Sequence, residues 1–147
     1  MIADSGIAEC GLGAVGDCKS RLFFQNIAAM TEKELQERMK RFAVSIVKFG
    51  EGLPENPGFR TVRNQIVRSG PSTAANYRAA CRPKSNADFI SKLGTVEEEL
   101  DETMFWLEFS VALSEELRLT VAPLWKEGNE LLSIIVASIN TSKKRKK

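Results

Sequence analysis

The chain has 147 residues, 43% of them hydrophobic and 27% charged, which is ordinary for a globular domain that buries a core. This composition excludes a protein that is disordered throughout, and no stretch approaches the roughly 20 consecutive apolar residues of a membrane-spanning helix. Three cysteines without a CxxC pair and the lack of a signal-peptide pattern predict a cytoplasmic protein with no membrane partner.

Charge is distributed unevenly along the sequence. The formal net charge is +2, but residues 31–92 contain twelve basic and six acidic residues, whereas residues 93–142 contain two basic and ten acidic ones. Five consecutive basic residues then end the chain. Because opposite charges attract, we expect one half of the fold to attract the other half.

Residues 1–29 lack the pattern of the rest of the chain. They contain four glycines and no sustained hydrophobic period, and a capped helical pattern begins directly after Met30. We interpret this segment as a disordered leader, or as residues upstream of a true start at Met30. A short arm that binds a partner is the alternative.

Two helices are predicted in the basic half. Thr31 and Glu34 form a capping-box pattern, and apolar residues then recur every three or four positions until glycines and prolines interrupt them after Phe49. The second helix is expected from Phe59 to Arg82, with Pro71 in its interior. A proline there removes a hydrogen bond and costs about 3 kcal/mol. We favour a kinked second helix over two separate helices because the apolar pattern resumes in phase.

The acidic half predicts two more helices. The third is expected from about Ala87 to Leu113, and the fourth begins near Thr120 with Pro123 in its first turn, where proline is tolerated. No strand-like alternation of useful length occurs. The sequence therefore predicts an all-α protein, an antiparallel up-down four-helix bundle over residues 30–142, followed by a basic tail over residues 143–147.

Three blocks of the sequence carry a family resemblance. They are Arg68, Ser69 and Asn76 in the order RS-x6-N, the stretch from Phe89 to Leu107, and the stretch from Leu124 to Ile135. These blocks resemble the four-helix bundle proteins encoded in intervening sequences of bacterial 23S ribosomal RNA genes, a family that includes the accessory variability determinant of diversity-generating retroelements. The resemblance implies a homopentamer that binds nucleic acid and, in the retroelement branch, a reverse transcriptase. Ala79 departs from the family pattern, in which a glutamate is usual.

A basic surface is the main functional signal. Residues 56–87 contain five arginines and one lysine without an acidic residue. Such side chains bind phosphates with weak sequence preference, so we predict a nucleic-acid interface with RNA as the favoured partner. The extended basic tail is expected to assist, although such tails also serve only as solubilising ends. The predicted interface comprises Arg38, Lys40, Arg41, Arg60, Arg63, Arg78, Arg82, Lys143, Lys144, Arg145, Lys146 and Lys147.

A second prediction concerns polar residues of the second helix. Arg68 and Asn76 are about two turns apart and should lie on one side of the helix. Because a buried guanidinium needs a carboxylate, we predict a structural polar network with the facing helices. Its acidic members would be Glu99, Glu102 and Glu130. A pocket that receives a phosphate or a partner's carboxylate is the alternative.

Nothing in the sequence argues for catalysis or cofactor binding. The chain has no histidine, which removes the usual nucleophile pairs and the di-metal sites typical of bundles. No glycine-rich phosphate loop is present. We therefore expect no enzyme, no cofactor and no metal, and we interpret the acidic cluster of residues 97–102 as a solvated face. Tyr77 is interpreted as packed, with base stacking as the alternative.

Two functions remain open. In the first, a symmetric oligomer of bundles binds RNA or another nucleic acid through its basic side chains. In the second, the protein is an assembly scaffold whose basic half meets the acidic half of the next subunit. The client of that scaffold would be another protein, for example a reverse transcriptase.

Overall fold

The computed structural model describes residues 29–145 and contains four long helices. Helix α1 spans Glu32–Glu51, α2 spans Pro57–Ala80, α3 spans Asn86–Leu113 and α4 spans Arg118–Lys144, with a short 3-10 turn over Glu115–Leu117 before α4. No strand occurs in the described part of the chain. The prediction of an all-α four-helix bundle is confirmed, whereas the predicted leader lies outside the described residues except for its last residue.

Side chains cap the starts of the first three helices. In the predicted capping box, the amide N–H of Glu34 donates to the Thr31 hydroxyl, and the amide N–H of Thr31 donates to the Glu34 carboxylate. Asn56 and Ser85 accept in the same way from the amide three residues further on. Such a cap stabilises a helix by about 1 kcal/mol because it satisfies an otherwise unpaired N–H group. Polar residues before the apolar runs therefore fix where these helices begin.

Helix α2 is continuous through Pro71. The alternative of two separate helices is therefore wrong. Gly70, directly before the proline, lies against α1, where an added Cβ atom would be 2.5 Å from Cγ2 of Ile46. The missing side chain lets the two helices approach closely at the point where proline removes a helical hydrogen bond.

Both ends of α4 differ from their predictions. The helix begins at Arg118, two residues before the expected start, so that Pro123 lies in the second turn instead of the first. At its other end α4 continues through Lys143 and Lys144. The expectation of an extended tail is therefore wrong for these two lysines. Lys146 and Lys147 lie outside the described residues.

The core is apolar and continuous through all four helices. α2 packs against α1 and α3, and α4 packs against α3, whereas α1 and α4 contact each other least among neighbouring helices. α1 and α3 therefore lie diagonally across the bundle. None of the helices within residues 29–145 has an apolar run that could cross a membrane. The largest completely buried side chains include Met39, Ile46, Val62, Ile66, Leu93, Leu100, Leu107, Leu131 and Ile135.

Contacts at the helix ends show how the helices run. Gly58 at the start of α2 lies against Leu113 at the end of α3. Asn86 at the start of α3 donates to the carbonyl of Ser142 near the end of α4. α2 and α3, and likewise α3 and α4, therefore run in opposite directions. One long side of α2 faces solvent.

Candidate nucleic-acid interface

Helix α2 presents a row of arginines to solvent. Arg60, Asn64, Ala75 and Arg78 are exposed, and their spacings return to nearly the same side of the helix. Arg82 continues the row just beyond the helix end. We call Arg60, Arg78 and Arg82 the arginine stripe. Because α2 contains no acidic residue, no opposite charge on this helix interrupts the stripe.

The guanidinium groups of the arginine stripe are available for binding. None of the ion pairs within residues 29–145 includes the side chain of Arg60, Arg78 or Arg82. All three residues are exposed. A guanidinium carries five N–H donors in a planar fork that matches phosphate oxygens. The stripe therefore offers three phosphate-binding groups on one side of the molecule.

Arg63, which the sequence also assigned to the interface, is engaged within the fold. Its guanidinium donates to the carbonyls of Gly50 at 3.1 Å and Leu53 at 2.6 Å, and it forms an ion pair with Glu55 at 3.1 Å. Carbonyls at the end of a helix lack helical partners, so these bonds stabilise the loop between α1 and α2. We therefore assign Arg63 to the fold and not to the interface.

Arg38 is likewise engaged. Its Nε and Nη2 donate to the two carboxylate oxygens of Glu127 at 2.6 and 2.8 Å, and Nη2 also donates to Glu130 at 2.6 Å. The hydrogen bond to Glu127 is the main cause that raises the pKa of Arg38 above its ordinary value. Glu130, predicted as a partner of Arg68, therefore pairs with Arg38 instead. These contacts join α1 to α4.

The other predicted cations of α1 remain at the surface. Lys40 forms an exposed ion pair of 2.8 Å with Glu37, a kind of pair that contributes at most about 1 kcal/mol and can be exchanged. Arg41 is exposed and lies at the edge of a cavity of about 350 Å³ between α1 and α4. The cavity is otherwise lined by Arg38, Phe42, Ser45, Pro123, Leu124 and Glu127.

The basic tail is partly helical. Lys143 and Lys144 are exposed in the last turn of α4, and Arg145 follows the helix. Positive charge at a helix C-terminus interacts favourably with the helix dipole, typically by 0.3 to about 1 kcal/mol. These residues therefore stabilise α4 in addition to supplying charge.

The predicted polar network forms only in part. The Arg68 side chain is 67% exposed and pairs with Glu102 at 3.1 Å. The prediction of a buried guanidinium is therefore wrong. Asn76 donates to the carbonyl of Ser72 in its own helix and does not bond with Arg68. Within residues 29–145, no group of histidine, cysteine, aspartate and glutamate side chains could hold a metal ion.

A buried polar contact between α2 and α3 was missed by the sequence analysis. The hydroxyl groups of Ser69 and Thr103, both completely buried, share a hydrogen bond of 2.8 Å. One turn before Thr103, Glu99 has a buried carboxylate oxygen without a hydrogen-bond partner in the described chain. Burial is the main cause that raises the pKa of Glu99, and the charge of Glu102 adds to it. Ser69, the small polar residue in the RS-x6-N block, was the feature of the sequence that could have indicated this contact.

Aromatic side chains are distributed unlike a stacking surface. Tyr77 is buried, and this burial raises the pKa of its hydroxyl, so the base-stacking alternative is wrong. Within residues 29–145 the exposed aromatic residues lie on α3, where Phe105 is 52% and Phe109 37% exposed and both contact Trp106 edge to face. Leu113, one turn further on, is 44% exposed. We call Phe105, Phe109 and Leu113 the α3 strip.

Comparison with known proteins identifies a family and a similar solved structure. The family model described as 23S rRNA-intervening sequence protein matches residues 31–137. A crystal structure of a protein with unknown function from the S23 ribosomal protein family of Bacteroides thetaiotaomicron VPI-5482 is 30% identical and superposes with a TM-score of 0.69. That match covers 76% of this chain and 99% of the other. No curated protein sequence matches this chain.

Proposed function

Since this chain belongs to the 23S rRNA-intervening sequence protein family, we propose that it binds RNA and catalyses no reaction. The observation that carries the proposal is the arginine stripe on and just beyond α2, a helix that has no acidic residue. Its three exposed guanidinium groups form no ion pair with any residue of 29–145. The family description names an intervening sequence of 23S rRNA, so a ribosomal RNA fragment is the first nucleic acid to test.

The proposed interface extends from α2 onto α1. Cys81, at the end of α2, interacts with Gln36 in the second turn of α1, so the neighbouring turns of the two helices are close. Lys40 lies one turn after Gln36 and is exposed, so it adds a cation on α1. Contacts from such side chains go to phosphates, so binding should depend strongly on salt and weakly on sequence.

The test compares two variants that lose the same charge. In the first, Arg60→Gln, Arg78→Gln and Arg82→Gln remove the arginine stripe. In the second, Lys33→Gln, Lys92→Gln and Lys126→Gln remove three lysines outside the stripe. The matched variants separate a local binding surface from a general effect of net charge.

Affinity for a structured ribosomal RNA fragment is measured as a function of salt. Loss of three phosphate contacts should reduce the slope of log K against log salt by about 2 to 3, whereas the lysine variant should keep most of the slope. Equal effects of the two variants, or no effect of either, would contradict the role of the stripe.

The second part of the proposal is self-association, with five subunits as the family resemblance implies. The α3 strip exposes large apolar side chains, which soluble monomers rarely group together. Glu98 and Asp101 precede the strip on the same helix. On the diagonal helix α1, Val44 is 49% exposed and Lys48 follows it one turn later. An acidic apolar face and a basic apolar face therefore lie on opposite sides of one molecule.

Opposite complementary faces favour a ring. If α3 of one copy contacts α1 of the next, the interface is of the head-to-tail kind, which closes into a ring when the rotation permits. The arginine stripe on α2 would remain outside this interface. The oligomer would then present several stripes to one RNA and gain affinity by avidity.

The scaffold hypothesis remains the competing proposal. The α3 strip, preceded by carboxylates, also fits a basic apolar surface of another protein, of which a reverse transcriptase would be one example. A monomeric chain that retains an exposed α3 strip and fails to bind RNA would favour this second function. RNA binding by an oligomer would favour the first.

A further inference from the structure

We propose that the RNA bound by the arginine stripe is double-stranded and that its axis lies along α2. This inference rests on the proposed RNA-binding function and adds the class of RNA. It follows from the positions of the three arginines, from the neutral surface between them and from the location of the aromatic side chains.

The distance between the two ends of the arginine stripe is close to one turn of a nucleic-acid duplex. Arg60 is 18 residues from Arg78 on the same helix, which corresponds to about 27 Å at the rise of an α-helix, and Arg82 lies just beyond the helix end. A duplex returns its backbone to the same face after one turn, about 34 Å in B-form DNA. The flexible arginine side chains can adjust to the shorter repeat of A-form RNA. Both ends of the stripe can therefore contact the backbone of one duplex.

The solvent-facing side of α2 carries no net charge between Arg60 and Arg78. Between Arg60 and Arg78 the exposed side chains on this face are Asn64 and Ala75, and the charge of Arg68 is balanced by Glu102. A single strand along this face would place phosphates along the whole length of α2. Most of these phosphates would meet no cation. A duplex instead presents a groove between successive crossings of its backbone, so fewer phosphates face the neutral middle.

Helix α2 has no exposed aromatic side chain on which a base could stack. Proteins that bind single strands combine cations with exposed aromatic rings on which bases stack. The two aromatic residues of α2, Phe59 and Tyr77, are only 6% and 8% exposed. Phe105 and Phe109 are exposed, but they follow carboxylates on α3, which repel phosphates. The stripe therefore offers backbone contacts without base contacts, as expected for recognition of duplex shape.

The first measurement compares strand states. Fluorescence anisotropy of the full chain is recorded with a labelled RNA duplex of about 20 bp and with each of its separated strands, at one salt concentration. We expect the duplex to bind at least about tenfold more tightly, which corresponds to roughly 1.4 kcal/mol. Strands without internal complementarity avoid hairpins that would mimic a duplex.

The second measurement varies duplex length from about 6 to about 16 bp. Affinity should rise in a step near one helical turn, because only longer duplexes reach both Arg60 and the pair of Arg78 and Arg82. The variant Arg60→Gln should lose this step while retaining the affinity of the shortest duplex. A control variant, Lys126→Gln, should keep the step.

The outcomes separate the inference from the function on which it rests. A duplex preference together with a length step that depends on Arg60 supports the inference. Equal or tighter binding of single strands, or a smooth rise with length, overturns the inference and leaves RNA binding in place. If neither the duplex nor the strands bind, the proposed function fails and the inference fails with it.

Discussion

Arg38 on α1 holds Glu127 on α4 through two parallel hydrogen bonds of 2.6 and 2.8 Å. The same guanidinium reaches Glu130 one turn further along α4. α1 and α4 contact each other least among neighbouring helices, and the cavity beside Arg41 lies between them. Two-point contact of this kind combines charge with fixed geometry. Arg38 therefore contributes more to closing the bundle than its position among the surface cations suggests.

Replacing Arg38 with methionine should destabilise the fold. The change keeps much of the apolar stem but leaves Glu127 and Glu130 without their cation, and we expect a loss of about 1 to 2 kcal/mol. Urea unfolding monitored by circular dichroism measures it. The matched control is Lys40→Met, which removes an exposed pair and should cost less than about 0.5 kcal/mol. Similar losses for the two variants would show that Arg38 does not join the helices.

Two glycines should respond in opposite directions to the same substitution. A Cβ atom at Gly70 would lie 2.5 Å from Cγ2 and 3.0 Å from Cβ of Ile46, whereas at Gly94 nothing lies within 4 Å. We expect Gly70→Ala to destabilise the protein by about 1 to 3 kcal/mol, because α1 and α2 must separate. Gly94→Ala should stabilise it by up to about 1 kcal/mol through helix propensity.

Thermal or urea unfolding of the two alanine variants side by side provides the measurement. The chemical change is identical, so the difference reports only the surroundings of the two positions. A Gly70→Ala protein as stable as Gly94→Ala would mean that α1 and α2 do not approach as closely as described.

The fold was predictable where the signals are local. The capping pair Thr31 and Glu34 and the caps Asn56 and Ser85 are written in residues three or four positions apart. The start of α4 carries no such signal, because Leu117 before it makes no side-chain cap. Whether Pro71 bends or breaks a helix also depends on packing against another helix. Such contacts are not visible in a local pattern.

Glu99 should make stability depend on pH. Burial raises its pKa in the folded protein, so the folded state binds the proton more tightly than the unfolded state does. Stability from this group is present below the ordinary glutamate pKa and is lost as pH rises through the raised folded pKa. Glu99→Gln removes this loss. The variant should therefore gain stability over the natural chain at neutral pH and lose that advantage in acid.

The measurement is the difference in unfolding free energy between variant and natural chain across the acidic range. Taking the difference cancels groups that titrate in both proteins. The control is Glu98→Gln, which changes an exposed carboxylate on the same helix and should show a smaller pH dependence. A pH-independent effect of Glu99→Gln would contradict the burial of its carboxylate.

The sequence could show that the candidate site is basic, but it could not show which of its cations are available for binding. The acid-free run pointed to Arg60, Arg78 and Arg82, because no neighbouring residue could neutralise them. The partners of Arg38 are 89 and 92 residues away in sequence. Arg63 bonds to backbone carbonyls, which no pattern of side chains reveals. A cation is therefore recognisable from sequence, whereas its availability depends on long-range contacts.

Removing the α3 strip should change the state of association. We expect the double variant Phe105→Ser and Phe109→Ser to shift the protein toward monomer in size-exclusion chromatography with light scattering, since those rings would otherwise be covered by a neighbouring copy. The matched control is Leu119→Ser, which removes an 87% exposed apolar side chain outside the strip. Because Phe105, Phe109 and Leu119 are all exposed, we expect both variants to remain folded. Helical circular dichroism checks this.

Salt provides an independent check on the same interface. If carboxylates before the α3 strip meet Lys48 beside Val44, raising the ionic strength should weaken association, because exposed charges are screened beyond about 8 Å at physiological salt. The apolar contacts would be little affected, so the effect of salt should be smaller than that of the double phenylalanine variant. A natural chain that is monomeric at every salt concentration, or a double variant with unchanged mass, would remove self-association from the proposal. The arginine stripe would then have to bind RNA without the help of avidity.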